Sequence, residues 1–472
     1  MIKKLLITLH LFFFTLITIS AFAQNNPHTI TFGRFGKVYL YQKGTNPEHV
    51  VLFISGDGGW NKGVIDMARD LAAKNSLVIG IDIPRYLHSL NHSKEKCLYP
   101  AADFESLSQY VQKKLQLSTY HIPVLVGYSS GATLVYAILS QTPPNTFKGG
   151  ISLGFSPDIA VNKPFCRGTG LKQKKDKNNG EYDLLPSNKV HLPWTVIQGE
   201  IDKVCSPKAA QKFVQQASDA SLVPLPGVGH GFSIPEHWKP EFISAYEKIL
   251  QKNEVILTPK ISSLKDLPIE EVPATNSNND LLAVILSGDG GWASIDQGLS
   301  KTLSSAGIST VGLNSLRYFW KRRTPEGASA DLERIIRYYL AKWHKQKILL
   351  IGYSLGADVL PFMVRRLPSD LKKRTELITF LSPSATVDFQ FHLSYWLGGG
   401  NRKTDLHVLP EIQKLQGIPL LCFYGDDEKD SICKQMSPDL AKVIALTGGH
   451  HYDGNYQQIA EYIMKDIHYD HP

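Results

Sequence analysis

The chain has 472 residues, 43% of them hydrophobic and 20% charged, and a formal net charge of +8. This is the composition of a globular protein, and it excludes disordered and fibrous classes. The charge bias suits contact with an anionic membrane surface but is too mild to argue for a nucleic-acid partner. None of the five cysteines (Cys97, Cys166, Cys205, Cys422, Cys433) forms a Cys-x-x-Cys pair; with neither a metal-cluster spacing nor a nucleotide-binding loop in the sequence, no cofactor is expected. At least one thiol is left unpaired, and connectivity is not readable from the sequence.

The chain opens with Lys3 and Lys4, an apolar stretch over 5–19, and Ala21-Phe22-Ala23. This is the pattern of a secretory signal peptide cut after Ala23, with export to a bacterial periplasm. The alternative is a retained membrane anchor, for which the apolar run is short. Short apolar runs then follow at 50–54, 77–81, 124–126, 151–153 and 195–197, and read as buried strands. Helical patterns at 63–73 and 103–115 lie between them, so a parallel sheet with crossover helices is predicted. The basic tract 172–179 reads as a solvated loop, or as a contact for lipid headgroups. Residues 258–280 carry Pro259, Pro268 and Pro273. They read as a linker with one leading strand at 269–272. Strand-like runs resume at 281–286, 308–313, 348–351, 377–381, 420–424 and 443–446.

The second series repeats the first. Ser55-Gly56-Asp57-Gly58-Gly59-Trp60 returns as Ser287-Gly288-Asp289-Gly290-Gly291-Trp292. Gly127-Tyr128-Ser129-Ser130-Gly131 returns as Gly352-Tyr353-Ser354-Leu355-Gly356 at nearly the same spacing. Each Gly-x-Ser-x-Gly follows an apolar run and precedes a helical pattern, the context of a nucleophile elbow. The expected architecture is therefore two tandem α/β-hydrolase domains: residues 1–23 signal peptide, 24–257 first domain, 258–280 linker, 281–472 second domain.

A serine hydroxyl needs a base, and in this fold the acid and the histidine follow the serine in chain order. Asp202, just past the run 195–197, and His230 complete the first set with Ser129. In the second set Ser354 is followed by a choice of acids. Matching Asp202-x-x-Cys205 to Asp430-x-x-Cys433 favours Asp430; counting from the preceding glycine favours Glu428. The base is His450 or His451, and the Gly-His-x-aromatic pattern favours His450. The glycine-rich hexapeptides are expected to furnish oxyanion-hole N–H groups, Gly56 or Asp57 with Ser130, and Gly288 or Asp289 with Leu355. Asp57 and Asp289 either fix the loop or meet a cationic group of the substrate. Trp60 and Trp292 are candidates for the pocket wall or for packing.

Taken together, the two hexapeptides, Gly-Tyr-Ser-x-Gly-Ala, Gly425 to Cys433 and Gly448 to Gly454 resemble the AcvB/VirJ family of bacterial virulence proteins. The second copy carries the whole series; the first is looser after Ala132. The resemblance implies a periplasmic hydrolase cleaving lysyl-phosphatidylglycerol to lysine and phosphatidylglycerol. The substrate would be an aminoacylated anionic phospholipid at the membrane surface. VirJ-type members are linked to type IV secretion, which would add secretion components as partners. By position it implies Ser354 as nucleophile, with Asp430 and His450. Tyr395 and Trp396, in the loop after Ser382, are candidates for the membrane interface or for packing. Other readings are a serine hydrolase of another ester, thioester or peptide, and a secretion-associated binding protein.

Overall fold

The computed structural model describes residues 27–467 apart from 144, 177–179, 253–263, 275, 277–278, 393–405, 416 and 430. The segment read as a signal peptide and the pair Tyr395–Trp396 lie outside the described residues.

In the first half the elements are β1 (His28–Phe32), β2 (Gly36–Tyr41), β3 (His49–Ile54), α1 (Lys62–Ala72), β4 (Ser76–Ile81), α2 (Ile83–Asn91), α3 (Pro100–Lys114), β5 (Val124–Tyr128), α4 (Ser130–Gln141) and β6 (Gly149–Leu153). They continue through β7 (Asp158–Ile159), β8 (Lys172–Lys175), β9 (Tyr182–Leu185), β10 (Trp194–Gly199), α5 (Pro207–Val214), β11 (Ala220–Leu225) and α6 (Lys239–Lys252). An eight-stranded sheet runs β1-β2-β4-β3-β5-β6-β10-β11. The strands from β4 to β11 pair in parallel, while β1 and β2 add antiparallel edges.

The second half repeats this plan with β12 (Ile269–Val272), β13 (Leu281–Leu286), α7 (Ser294–Ser305), β14 (Ser309–Leu313), α8 (Ser315–Tyr318), α9 (Pro325–Lys342), β15 (Lys347–Tyr353), α10 (Leu355–Arg365), β16 (Thr375–Leu381), β17 (Leu420–Gly425) and β18 (Lys442–Leu446). Its sheet order is β12-β14-β13-β15-β16-β17-β18, parallel except for β12. The stretch read as a linker thus gives the second sheet its antiparallel edge. The basic tract departs from the expected loop: Lys172–Lys175 form β8, which pairs antiparallel with β9 in a small three-stranded sheet.

Alternation along the central strands explains why both faces are covered. In β3, Val50, Leu52 and Ile54 join the core beneath α3 and α4, while Val51 and Phe53 join the core beneath α1 and α6. In β13, Leu282, Val284 and Leu286 face one core, and Leu281, Ala283 and Ile285 the other. Each such fully buried side chain contributes about 1.5–3 kcal/mol. Among the described residues no helix is long and apolar enough to cross a membrane.

The two halves meet through a third, smaller apolar cluster. Trp320, just past α8, packs with Leu316 and Phe391 against Tyr120 of the first half. Its indole N–H donates to the Leu117 carbonyl at 2.9 Å, and the Lys113 ammonium stands 4.4 Å above its ring. Asn145, in the loop before β6, donates to the Trp292 carbonyl at 3.5 Å.

Candidate active site

Strand β5 ends at Tyr128 and α4 begins at Ser130, so Ser129 alone makes the turn, at φ 55° and ψ −122°. Ser354 does the same between β15 and α10, at φ 50° and ψ −116°. A non-glycine residue held at positive φ stores about 1–3 kcal/mol, and here the turn lifts the hydroxyl clear of the sheet edge. The glycine two residues on makes the turn possible. A Cβ on Gly131 would lie 2.3 Å from the Ser55 carbonyl oxygen, and one on Gly356 would lie 2.1 Å from that of Leu286.

In the first half the three expected residues come together. His230 Nε2 lies 3.1 Å from Ser129 Oγ, and His230 Nδ1 lies 2.9 Å from Asp202 Oδ2. Asp202 has no exposed side-chain surface. Its Oδ1 accepts from the N–H groups of Val204 and Cys205 at 2.8 Å, and its Oδ2 also accepts from Gln198 Nε2 at 3.2 Å. These three donors fix the carboxylate, which in turn fixes the imidazole. The Tyr128 hydroxyl donates to the His230 carbonyl at 2.9 Å and anchors the histidine loop. Burial and the nearby Asp202 charge push the Cys205 thiol up to about 12. Asp202, Cys205 and His230 offer ligand atoms within 4.8 Å of one another, but both Asp202 oxygens are already engaged by these donors.

The second half is built on the same frame with a different acid. His450 Nδ1 bonds Glu428 Oε1 at 2.7 Å. Glu428 stands three residues past the strand-end Gly425, as Asp202 stands three past Gly199. Each acid's own N–H bonds the carbonyl of that glycine. Asp430, expected from the Asp-x-x-Cys match, lies outside the described residues; the carboxylate on the histidine is Glu428. The match misleads because Cys433 is bonded to Cys422 within β17, whereas Cys205 is free and buried. Glu428 Oε2 accepts from the Gly425 N–H and the Ser382 hydroxyl, both at 2.8 Å. Ser382 sits at the strand end where the first half has Gly154. A Cβ on Gly154 would press to 3.3 Å on the His230 ring. Burial alone would raise Glu428, but the bonds from His450, Gly425 and Ser382 hold it below its ordinary value. Among the described residues no hydrogen bond joins Ser354 to His450, whose side chain is 42% exposed against 19% for His230. His451 instead pairs through Nδ1 with the Tyr353 hydroxyl at 2.9 Å. Desolvation and the neighbouring His450 lower its basicity.

The hexapeptide loops lie beneath the nucleophiles. A Cβ on Gly56 would come within 2.9 Å of Ser129 Cβ, and one on Gly288 within 3.4 Å of Ser354 Cβ. Ser130 and Leu355 open their helices, where first-turn N–H groups have no acceptor within the helix. Gly56 and Gly288 thus lie beside their serines, next to Ser130 and Leu355, the first residues of the helices that follow. The tryptophans serve packing. Trp60 lies against Gly80 of β4, stacks on Tyr39 and donates to the Tyr41 hydroxyl at 3.0 Å; Trp292 is buried over Gly312 of β14. The two loop aspartates differ: Asp57 is exposed, whereas Asp289 is half-buried. The sequence reading missed Ser382 and the two loop-anchoring tyrosines; the tyrosine signal was the repeated Gly-Tyr-Ser.

These features define an α/β-hydrolase fold present twice. Solved structures similar to it include the esterase domain of a Rhodothermus marinus protein, at 17% identity and TM-score 0.33, covering 47% of this chain and 98% of that one. Another is Est1E from Butyrivibrio proteoclasticus, at 14% identity and TM-score 0.33, covering 48% and 99%. A third is XC6422 from Xanthomonas campestris, an α/β serine hydrolase without a lid, at 18% identity and TM-score 0.31, covering 50% and 97%. A comparison with curated proteins found no match. The family model described as bacterial virulence protein (VirJ) matches residues 48–150 and 280–471. The chain belongs to the VirJ family of bacterial virulence proteins.

Proposed function

We propose that the protein is a serine esterase that removes the aminoacyl group from an aminoacylated phospholipid, releasing lysine and phosphatidylglycerol from lysyl-phosphatidylglycerol. The observation that carries the esterase reading is the unbroken line Ser129 Oγ, His230, Asp202. His230 accepts the proton as Ser129 Oγ attacks the ester carbonyl. The resulting oxyanion takes the N–H groups of Ser130 and the Gly56–Asp57 loop. Asp202 stabilises the imidazolium, which returns its proton to the departing glycerol oxygen. Water then attacks the acyl-serine, giving up a proton to His230; the acyl C–O bond breaks, His230 returns that proton to Ser129 Oγ, and the free amino acid leaves. In the second copy Ser354, His450 and Glu428 take the same parts once substrate draws His450 onto Ser354; such bonds are often long before substrate binds.

A lipid surface as the place of action is supported by the exposed apolar side chains. Ile201, Val204 and Ile234 are 59%, 70% and 52% exposed. They stand on the two loops that carry Asp202 and His230, which the Ile201 N–H to Val228 carbonyl bond holds together. Such side chains in one place mark an interaction surface. Export is supported by the disulfides Cys97–Cys166 and Cys422–Cys433, which suit an oxidising compartment. In this reading both copies carry the chemistry, and the apolar side chains beside the first site seat the protein on the lipid surface. Labelling with a fluorophosphonate probe tests the chemistry. We expect labelling of the wild type, reduced in Ser129→Ala and in Ser354→Ala and absent from the double variant. Absence of labelling in the wild type would sink the esterase reading and leave the secretion-associated binding protein in its place.

A further inference from the structure

A basic cleft lies on the first half, outside either catalytic set. Helix α2 turns Ile83, Tyr86, Leu87 and Leu90 into the core. Arg85, His88, Ser89 and His92 follow one another at i, i+3, i+4 and i+7, so they share the opposite face. Across from that face stands the turn Gly33–Phe35 between β1 and β2. The two enclose a cavity of about 620 Å³, within the range of small-molecule sites, roughly 300–1,000 Å³.

The lining has no aliphatic side chain. Arg34, Arg85, His88, His92, Lys94 and Glu95 are joined there only by glycines and serines. A hydrocarbon ligand gains little from such a surface. The charge on it is uneven. Glu95 is taken by Arg34, which also bonds Asp103 Oδ2 at 3.3 Å. Among the described residues Arg85 and Lys94 enter no ion pair, so the excess positive charge is theirs. His92 Nδ1 is committed to the His88 carbonyl at 2.7 Å, which leaves its Nε2 uncommitted.

The cleft is preformed. A Cβ on Gly36 would come within 2.1 Å of Arg85 Nε, so the guanidinium rests against the turn. Gly36 sits at φ 59° and ψ −121°, where a side chain is strained. The wall at 92–95 is braced from the loop beyond β7. Asn91 Nδ2 donates to the Ala160 carbonyl at 3.1 Å, the Asn162 N–H donates to Asn91 Oδ1 at 3.0 Å, and Lys163 Nζ donates to the Ser93 carbonyl. The disulfide Cys97–Cys166 closes the same junction. A guanidinium held in place loses little freedom on binding, and its fork matches two oxygens of a phosphate. The second half carries only the start of this feature. Counted from the hexapeptides, Arg317 matches Arg85, but α8 ends at Tyr318 and Trp320 stands in the place of His88.

We propose that this cleft binds a phosphate group, with the Arg85 guanidinium as its main partner and Lys94, His88 and His92 around it. A phospholipid headgroup and a soluble phosphate ester both present the oxygens it takes. The inference goes beyond the esterase reading and stands without it, since no residue of either catalytic set lines the cleft.

The test uses the full chain carrying Ser129→Ala and Ser354→Ala, so that turnover does not intrude. Glycerol 3-phosphate is titrated by calorimetry, with acetate at equal ionic strength as the comparison anion. Vesicles of phosphatidylglycerol and of phosphatidylcholine are tested by sedimentation. Both assays are repeated in Arg85→Gln and in Lys208→Gln, which removes an equal charge from α5, outside the cleft. We expect glycerol phosphate to bind more tightly than acetate. Arg85→Gln should weaken it about tenfold or more, and Lys208→Gln should have no effect. Arg85 is exposed, so the melting temperature should not move; if it does, Lys94→Gln carries the test. Arg85-dependent binding of phosphatidylglycerol vesicles makes the ligand a headgroup. Arg85-dependent binding of glycerol phosphate, with vesicle binding untouched, makes it a soluble ester. The proposal is overturned if the cleft variants and Lys208→Gln behave alike in both assays, or if acetate binds as tightly as glycerol phosphate.

Discussion

Replacing Glu428 by Gln is the sharpest test of how the second site is wired. The substitution keeps the shape of the side chain and an acceptor for His450 Nδ1, which now lies 2.7 Å from Glu428 Oε1. It removes the charge that stabilises the imidazolium. A hydrogen bond to a charged group contributes about 1.5–3 kcal/mol, worth about tenfold to somewhat over a hundredfold in rate. Mis-setting the tautomer adds to this and, in a buried triad, brings the loss to about 10⁴. Because His450 is 42% exposed, solvent screens part of the effect, and we expect kcat to fall about a hundredfold with KM little changed. The assay is p-nitrophenyl ester hydrolysis in the Ser129→Ala background, beside Asp430→Asn. A stability readout accompanies it. Glu428 is held below its ordinary 4.5, so its stabilisation is complete above that value and is lost as pH falls through the folded value. Glu428→Gln should flatten this acid-side loss. Activity within about threefold of the parent for Glu428→Gln, with a collapse in Asp430→Asn, would refute the wiring and restore Asp430.

Three further outcomes follow from the same structure. Gly131→Ala places a Cβ 2.3 Å from the Ser55 carbonyl; we expect loss of fluorophosphonate labelling at Ser129 with Ser354 still labelled, measured by peptide mapping. Cys97→Ser with Cys166→Ser opens a link between residues 69 apart, and denaturant unfolding should show a loss of about 4 kcal/mol in the chain-entropy view. Asp296 is buried, caps the Ala293 N–H at 3.1 Å and is raised by burial to about 8. Its folded value lies above the unfolded one, so its contribution to stability declines as pH rises from about 4 to about 8 and then levels off; melting curves of Asp296→Asn across that window should be flatter than those of the wild type.

Much of the frame was legible because central parallel strands are apolar on both faces, as 50–54 and 281–286 show in the sequence. The edges were not. β1 is His-Thr-Ile-Thr-Phe and β8 is Lys-Gln-Lys-Lys, outer strands whose solvated side chains carry no strand signal; only β12, Ile-Glu-Glu-Val, was legible, as a leading strand within the linker. At the site, Ser129, Asp202 and His230 were legible because fold order and strand ends fix them. The second acid was legible only by counting from Gly425; the cysteine match competed with that count, and the disulfide to Cys422 explains why it should not have weighed.

The most direct test of the central claim is lysine release from vesicles containing lysyl-phosphatidylglycerol, with the mature protein beside Ser129→Ala, Ser354→Ala and the double variant. The account predicts release by the wild type, a reduced amount from each single variant and none from the double variant. Undiminished release from the double variant, or no release from a wild type that still cleaves simple esters, would contradict it.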